Sequence, residues 1–393
     1  MAHYLSGQTV VVAGAGIAGS AFVVSLTQNW PSDHVPPTIV MLERDSHNTA
    51  AQREDYSISL SGYDECGGLP ALRKMHLLEK VLDQAVTGVH RGSFKIWDKD
   101  WNVQQSFHRQ PREGIPVGSL RITRKSLRKV LHEAIRDARN VSIQWDTECR
   151  KLSKLTDGKT RVLFEHNGEQ GHVDCSLFIA ADGASSKIRQ SHRPGDSLDY
   201  TGAVLRGGLA RFEETLPPPL DADWGFQISG DGVSCFYSAV DRCSVFWGLG
   251  HLEDEIKDPG ERAAEKVIER ARVLGQALEE PFKTLVDRTD GSATMCINAK
   301  DKQPFRHEDI DEFPLIFIGD ANHALSPFAG FGGNLALNDG WDLGELLVGH
   351  AALGSAVQAY DSRACPRASE ILSRSRRQLK AGHQIGAGRA CGR

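Results

Sequence analysis

The chain has 393 residues, and 46 Lys and Arg against 51 Asp and Glu leave a formal charge of −5. A hydrophobic share of 40% beside a charged share of 25% predicts a folded soluble chain of two or three domains; it excludes intrinsic disorder, and the mildly acidic balance gives no basis for nucleic acid or an anionic membrane as partner. The eight Cys are scattered without a C-x-x-C pair, which excludes a zinc ribbon or disulfide scaffold and makes them small hydrophobes of a reducing compartment.

The first apolar run, Thr9 to Ala13, ends in Gly14. The apolar run as a whole, Thr9 to Ala18, is too short to cross a bilayer and lacks the start of a secretory signal, so the expected location is cytoplasmic. Two later runs share its shape: Leu177 to Ala181, ending in Asp182-Gly183, and Leu315 to Ile318, ending in Gly319-Asp320. Such continuous runs suit strands buried on both faces of a parallel sheet, whose ligands bind beyond the carboxyl ends. The three sets of terminal Gly and Asp residues are therefore expected at one ligand.

Gly14-Ala15-Gly16-Ile17-Ala18-Gly19 follows the first strand and opens a helix pattern reaching about Gln28. The first Gly permits a tight turn, the second a close approach to a pyrophosphate, the third close packing of helix on strand. The helix N-terminus then faces the phosphates. Thr38 to Leu42 reads as the next strand, closed by Glu43, which lies 24 residues past Gly19. An acid about 20 residues on accepts hydrogen bonds from ribose hydroxyls, and the Pro-rich loop 29–37 absorbs the excess. Arg44 follows directly. This pattern predicts FAD or NAD.

After residue 196 the texture changes. Ala203 to Phe212, Trp224 to Ile228, Val233 to Val240 and Ser244 to Leu249 are β-branched and aromatic, with Gly230-Asp231-Gly232 as a hairpin turn. They read as an inserted antiparallel sheet, with Pro217-Pro218-Pro219 as a loop. A helix follows, with Pro259 near its start and Ala264, Val267, Ile268, Ala271, Leu274 and Leu278 on one face. Leu335 to Leu347 is a further helix. The basic tail from Ser355, with Arg363, Arg367, Arg374, Arg376, Arg377 and Lys380, reads as a helix with a solvated face.

Two longer motifs choose between the cofactors. Asp182-Gly183-Ala184-Ser185-Ser186-Lys187-Ile188-Arg189 resembles the D-G-x-x-S-x-x-R motif of single-component (group A) flavin monooxygenases. Gly319-Asp320-Ala321-Asn322-His323-Ala324-Leu325-Ser326-Pro327, then Gly330-Phe331-Gly332-Gly333-Asn334 and Asp339, resembles that family's G-D motif and its G-x-G-x-N extension. The resemblance is to the para-hydroxybenzoate hydroxylase class, closest to its tetracycline-hydroxylase-like branch. Asn322 departs from the usual Ala, and Ser59 stands where that branch carries an acid.

The resemblance implies an α/β fold: a Rossmann-like FAD-binding domain (1–90, 116–195 and 293–345), an inserted antiparallel substrate domain (91–115 and 196–292) and a C-terminal helical segment (346–393). It implies non-covalent FAD, NADH or NADPH as co-substrate, and O2. One oxygen atom passes through a flavin C4a-hydroperoxide into an aromatic or polycyclic small molecule, with epoxidation, Baeyer–Villiger insertion or oxidative rearrangement in secondary metabolism as the alternative. An NAD-dependent dehydrogenase or a non-catalytic flavin-binding protein ranks lower. A monomer without metal or membrane span is expected.

Cofactor contacts are expected at Gly14, Ala15, Gly16, Ile17, Ala18, Gly19, Glu43, Arg44, Asp320, Pro327, Gly330, Gly332, Gly333 and Asn334. Arg124, in Ile122-Thr123-Arg124-Lys125-Ser126-Leu127, matches the family's I-x-R-x-x-L segment, where the Arg contacts FAD. Arg53 sits where relatives place an Arg near flavin and incoming NAD(P)H. Asp182 contacts the diphosphate through its backbone, helps bring in NAD(P)H, or simply caps the next helix. Trp224, Phe226, Phe236 and Tyr237 are candidate substrate contacts, although strand alternation sends about half of such residues to the other face. His323 is expected to orient its loop, and no catalytic acid or base is assigned.

Overall fold

The computed structural model describes residues 3–47, 56–90 and 92–383. Arg53 lies outside the described residues. The amino-terminal part runs β1 (Thr9–Ala13), α1 (Ile17–Asn29), β2 (Thr38–Leu42), β3 (Ser57–Ser61), α2 (Gly68–Lys74), α3 (Leu78–Asp83), β4 (Phe94–Asp98), β5 (Val103–Phe107), β6 (Ser119–Thr123) and α4 (Arg124–Ile135). Then follow β7 (Val141–Gln144), β8 (Thr147–Lys154), β9 (Thr160–His166), β10 (Glu169–Cys175), β11 (Leu177–Ala180), α5 (Lys187–His192), β12 (Asp199–Arg211), β13 (Trp224–Ile228), β14 (Val233–Ala239) and β15 (Ser244–Leu252). The chain continues with α6 (Ala264–Leu274), α7 (Phe282–Asp287), β16 (Met295–Asp301), β17 (Leu315–Phe317), α8 (Asp320–His323), α9 (Gly332–Gly349) and α10 (Leu353–Gly382).

The apolar runs form one parallel sheet in the order β17-β11-β1-β2-β7. β11 and β17 are buried at every residue, as strands covered on both faces must be. Because β1, β11 and β17 are neighbours, Gly14, Asp182 and Gly319-Asp320 emerge side by side at their carboxyl ends. α1 lies between this sheet and α9. A Cβ on Gly340 would stand 2.5 Å from Phe22 N, and one on Gly344 would stand 2.6 Å from the Ser25 side chain. The two helices thus touch backbone to backbone, and Ser25 Oγ donates to Trp341 O at 2.7 Å. Gly333 lies beside Ile17 and Gly340 beside Ala18 and Phe22, so the helices run parallel and present both N-termini at the same end.

A seven-stranded sheet, β16-β12-β15-β14-β13-β4-β5, stands over that end. Its β12 to β15 match the expected insertion, with the hairpin at Gly230-Asp231-Gly232, where both glycines have positive φ. Three features differ from the sequence reading. β4 joins the sheet parallel to β13. β16 pairs with β12, so residues 295–301, expected in the FAD unit, hydrogen-bond into the other sheet. The expected helix is shorter: Pro259–Arg262 is a separate 3₁₀ turn, α6 stops at Leu274, and Leu278 is buried in the loop beyond.

Two elements were not foreseen. β8, β9 and β10 form a small antiparallel sheet, and β3 with β6 forms a two-stranded ribbon. α10 keeps the expected solvated face, with Arg363, Arg377 and Lys380 exposed, but its other face is tied into the fold. Its Arg367 reaches Asp342 at 2.6 Å and Asp339 at 3.0 Å, and its Arg376 reaches Asp301 at 2.6 Å. These contacts tie one helix to α9 and to the seven-stranded sheet. Of the Cys, 149, 175, 235 and 296 are buried and free, as small hydrophobes are; Cys66, Cys243 and Cys365 are partly exposed.

Candidate active site

The fingerprint turn closes β1 against β11. Gly14 has φ +101°, and a Cβ there would meet Ala181 O at 2.4 Å. Only Gly fits this position. The loop is braced from behind: Glu43 Oε2 accepts from Ala15 N at 2.9 Å, and His132 Nε2 donates to Ala15 O at 2.9 Å. Glu43 is buried and also accepts from Asp45 N. Arg44 points outward, near Asp45, and borders a polar pocket of about 560 Å³ lined also by Ser46, Glu148 and Arg150.

Asp182 lies at the end of β11. Its Oδ2 accepts from Lys187 N at 3.1 Å, but the N-cap of α5 is Ser186, whose hydroxyl accepts from Arg189 N at 2.9 Å. Its Oδ1 is buried without a hydrogen-bond partner, and burial pushes this carboxyl above the usual range. Arg189, at the end of the same motif, is buried. It donates to Ala184 O and Ala321 O, clamping this loop to the G-D loop.

Gly319 is held by Asp339, whose Oδ2 accepts from Gly319 N at 2.9 Å. His323 Nε2 meets the same oxygen at 2.6 Å, and Arg367 meets Oδ1. Burial alone would raise the Asp339 carboxyl, but His323 and Arg367 hold it down to about 2. Burial likewise opposes the charged form of His323, yet Asp339 and Asp320 push its pKa up. His323 therefore orients its loop.

Asp320 carries no hydrogen bond on its side chain among the described residues, and its side chain is exposed within the cleft. Burial among protein on its other sides pushes its carboxyl up, with His323, Arg124 and Arg189 opposing. A Cβ on Gly332 would lie 3.9 Å from Asp320 Oδ1, one on Gly16 would lie 3.9 Å from Arg124 Nη2, and one on Gly330 would meet nothing within 4 Å. The glycines thus leave open space bounded by Arg124 and Asp320. Pro327 is exposed at its rim. Two helix N-termini, an open glycine-lined cleft and a free carboxylate fit a dinucleotide with a polyol chain, which is FAD.

Asn334 differs from the others. Its Oδ1 accepts from Ser61 N and Gly68 N, and its Nδ2 donates to Ser59 O. Its side chain braces β3 of the ribbon and the start of α2. Gly333 packs on Ile58, and Ile17 and Ala18 begin α1 among core residues.

The seven-stranded sheet sorts the candidate substrate residues by face. Tyr237 is fully buried with Trp247 in the core under α6 and α7, and its hydroxyl donates to Gln227 at 2.7 Å. It does not line the cleft. Phe226 and Phe236 pair across β13 and β14 on the opposite face, 5.0 Å apart. Trp224 shares that face but is only 2% exposed. The sequence reading missed Phe94, 6.1 Å from Phe226, because its strand was not recognised. It also passed over Arg121, which is buried beside Phe236, with its guanidinium carbon 5.1 Å from the ring centre.

Comparison with known proteins agrees with this geometry. A family model described as "FAD binding domain" matches residues 8–197 and 281–375. Monooxygenase cfoF of Aspergillus candidus is 38% identical over 395 residues, covering 97% of this chain and 93% of that one. Among solved structures, Klebsiella pneumoniae HpxO complexed with FAD and uric acid has a TM-score of 0.74 at 18% identity, covering 97% of this chain and 90% of that one. Tetracycline destructase Tet(55) has a TM-score of 0.72 at 17% identity, covering 98% and 92%. That branch is one neighbour among several, so the expected special closeness to it gives way to the wider group A family. No helix among the described residues is long and apolar enough to cross a membrane.

Proposed function

The chain belongs to the FAD-binding-domain family and is an FAD-dependent monooxygenase, and from that premise we propose that it inserts one oxygen atom from O2 into an aromatic or polycyclic small molecule at the expense of NAD(P)H. Bound FAD would supply the reduction and oxygen-activating chemistry. In this reading the Gly14 to Gly19 loop, with Glu43 behind it, holds the ADP half. Arg124, Asp320 and the Pro327 to Gly333 loop hold the flavin half. The N-termini of α1 and α9 would stabilise negative charge there.

The observation that carries the substrate class is the aromatic wall. Phe94, Phe226 and Phe236 lie on the side of the seven-stranded sheet turned toward the ribbon and the cofactor loops. Flat rings stack on such a surface, and the sheet excludes water from the reacting atoms. Isotopically labelled O2 tests the reading. Label in the product supports it; stoichiometric peroxide with unlabelled product from the true substrate overturns it.

A further inference from the structure

The β3–β6 ribbon has two chemically different faces. Ile58 stands opposite Ile122 and Leu60 opposite Leu120, and these residues join the core of the parallel-sheet unit. The alternate positions carry Ser57, Ser59 and Ser61 opposite Thr123, Arg121 and Ser119. This hydroxyl face meets the aromatic face of the seven-stranded sheet: Ser57 Oγ donates to Ala239 O at 2.9 Å, and Arg121 Nε donates to Ser238 Oγ at 2.9 Å. Asn334 fixes the other edge of the ribbon to the start of α9. The ribbon therefore stands between the flavin loop and the substrate sheet.

Arg121 is the one Arg on this face, and it is 3% exposed. Its acceptors are all neutral: Ser238 Oγ, Ser59 Oγ at 2.7 Å and Ser57 O. No carboxylate among the described residues pairs with it. Three of its five N–H donors are used, leaving one on each terminal nitrogen. A neutral amide could serve two of these three acceptors. The positive charge itself has no carboxylate partner among the described residues, and a buried charge without one is costly. The fold carries that cost beside Phe236, at the junction of the aromatic and hydroxyl walls.

We propose that Arg121 determines specificity for an anionic substrate: an aromatic ring bearing an oxyanion, lodged at the junction of the two walls. This rests on the monooxygenase reading above and names the class of molecule that the same site accepts. The guanidinium supplies the counter-charge, the serines fix its position, and Phe236 offers the ring a stacking surface.

Two matched probe pairs test it on the FAD-loaded full chain by calorimetry, without turnover. Naphthoate is compared with naphthamide for a carboxylate, and para-nitrophenolate with para-nitroanisole for a phenolate. The wild type is expected to bind at least one anion about tenfold or more tighter than its neutral match. Arg121→Met is expected to lose that preference, as is Arg121→Gln, which can retain two of the three hydrogen bonds; Arg121→Lys is expected to keep part of it. FAD content and the visible spectrum report whether each variant is folded. Absence of preference in both pairs, through equal binding or none, overturns the proposal. So does a preference that survives in Arg121→Gln, or a shifted flavin reduction potential with the preference intact. Failure of the monooxygenase reading would appear separately, as wild-type protein that takes up no FAD.

Discussion

The side chain of Asp320 faces the cleft on one side and protein elsewhere, and it has no hydrogen-bond partner among the described residues. Its carboxylate is thus available to the ribityl hydroxyls of a flavin. Removing it leaves those hydroxyls unpaired, at about 1–3 kcal/mol. Asp320→Ala is expected to weaken FAD about ten- to a hundredfold in a fluorescence titration; unchanged affinity in a folded variant would remove Asp320 from the site. Asp339 behaves oppositely, because its partners are internal. Its carboxyl falls from 3.8 to about 2, so its contribution to stability is present above the ordinary carboxylate range and fades as pH drops toward 2. The His323 pKa is raised from 6.5, so its contribution is full below that value and fades as pH rises through the higher one. His323→Gln should therefore lower the melting temperature most between about pH 4 and 6.5, with the penalty shrinking in alkali. A penalty that grows above neutrality would contradict the charged pair.

Among elements, α1 and α9 depend on glycine for their closeness. Gly340→Ala would bring a Cβ within 2.6 Å of Ala18 O and force apart the two helix N-termini that frame the cofactor cleft. A loss of about 1–3 kcal/mol in denaturant unfolding is expected, with lower FAD occupancy as purified. The parallel strands were legible in the sequence because burial on both faces writes an unbroken apolar run. The small β8–β10 sheet was not, since strands such as Thr147–Lys154 alternate and expose charged residues. β4 and β5 were missed for a related reason: Val103–Phe107 is an exposed edge strand. The fingerprint and G-D loops were legible because their glycines answer to local backbone geometry. Arg121 was not, because its surroundings come from Ser59 and from Ser238, 117 residues away. The Arg three positions later matched a local pattern and drew attention instead.

Across the whole molecule, α10 joins what the sequence treats as separate units. Arg367 neutralises Asp339 and Asp342 beneath the cofactor loop, and Arg376 grips Asp301 in the seven-stranded sheet. Arg367→Met leaves two buried acids without their shared cation, and a loss of about 3–5 kcal/mol is expected. With both units tied, the wild type should melt as one body. Release of flavin fluorescence and the change in tryptophan emission, which samples Trp97, Trp224 and Trp247 in the other sheet, should coincide on heating. Separate transitions would show that α10 does not couple them.

The seven-stranded sheet is stitched from three distant stretches of chain, 94–107, 199–252 and 295–301, and the parallel sheet closes only with β17 at 315–317. Neither can be completed during most of synthesis on the ribosome. At about 5–20 residues per second, the apolar strands β1 and β11 wait roughly 15–60 s in total before their last neighbour exists. The nascent polypeptide is therefore a client for chaperones throughout that interval. Its yield in a foreign host should respond more to the rate of translation, and to a supply of holdases, than to the stability of the finished enzyme.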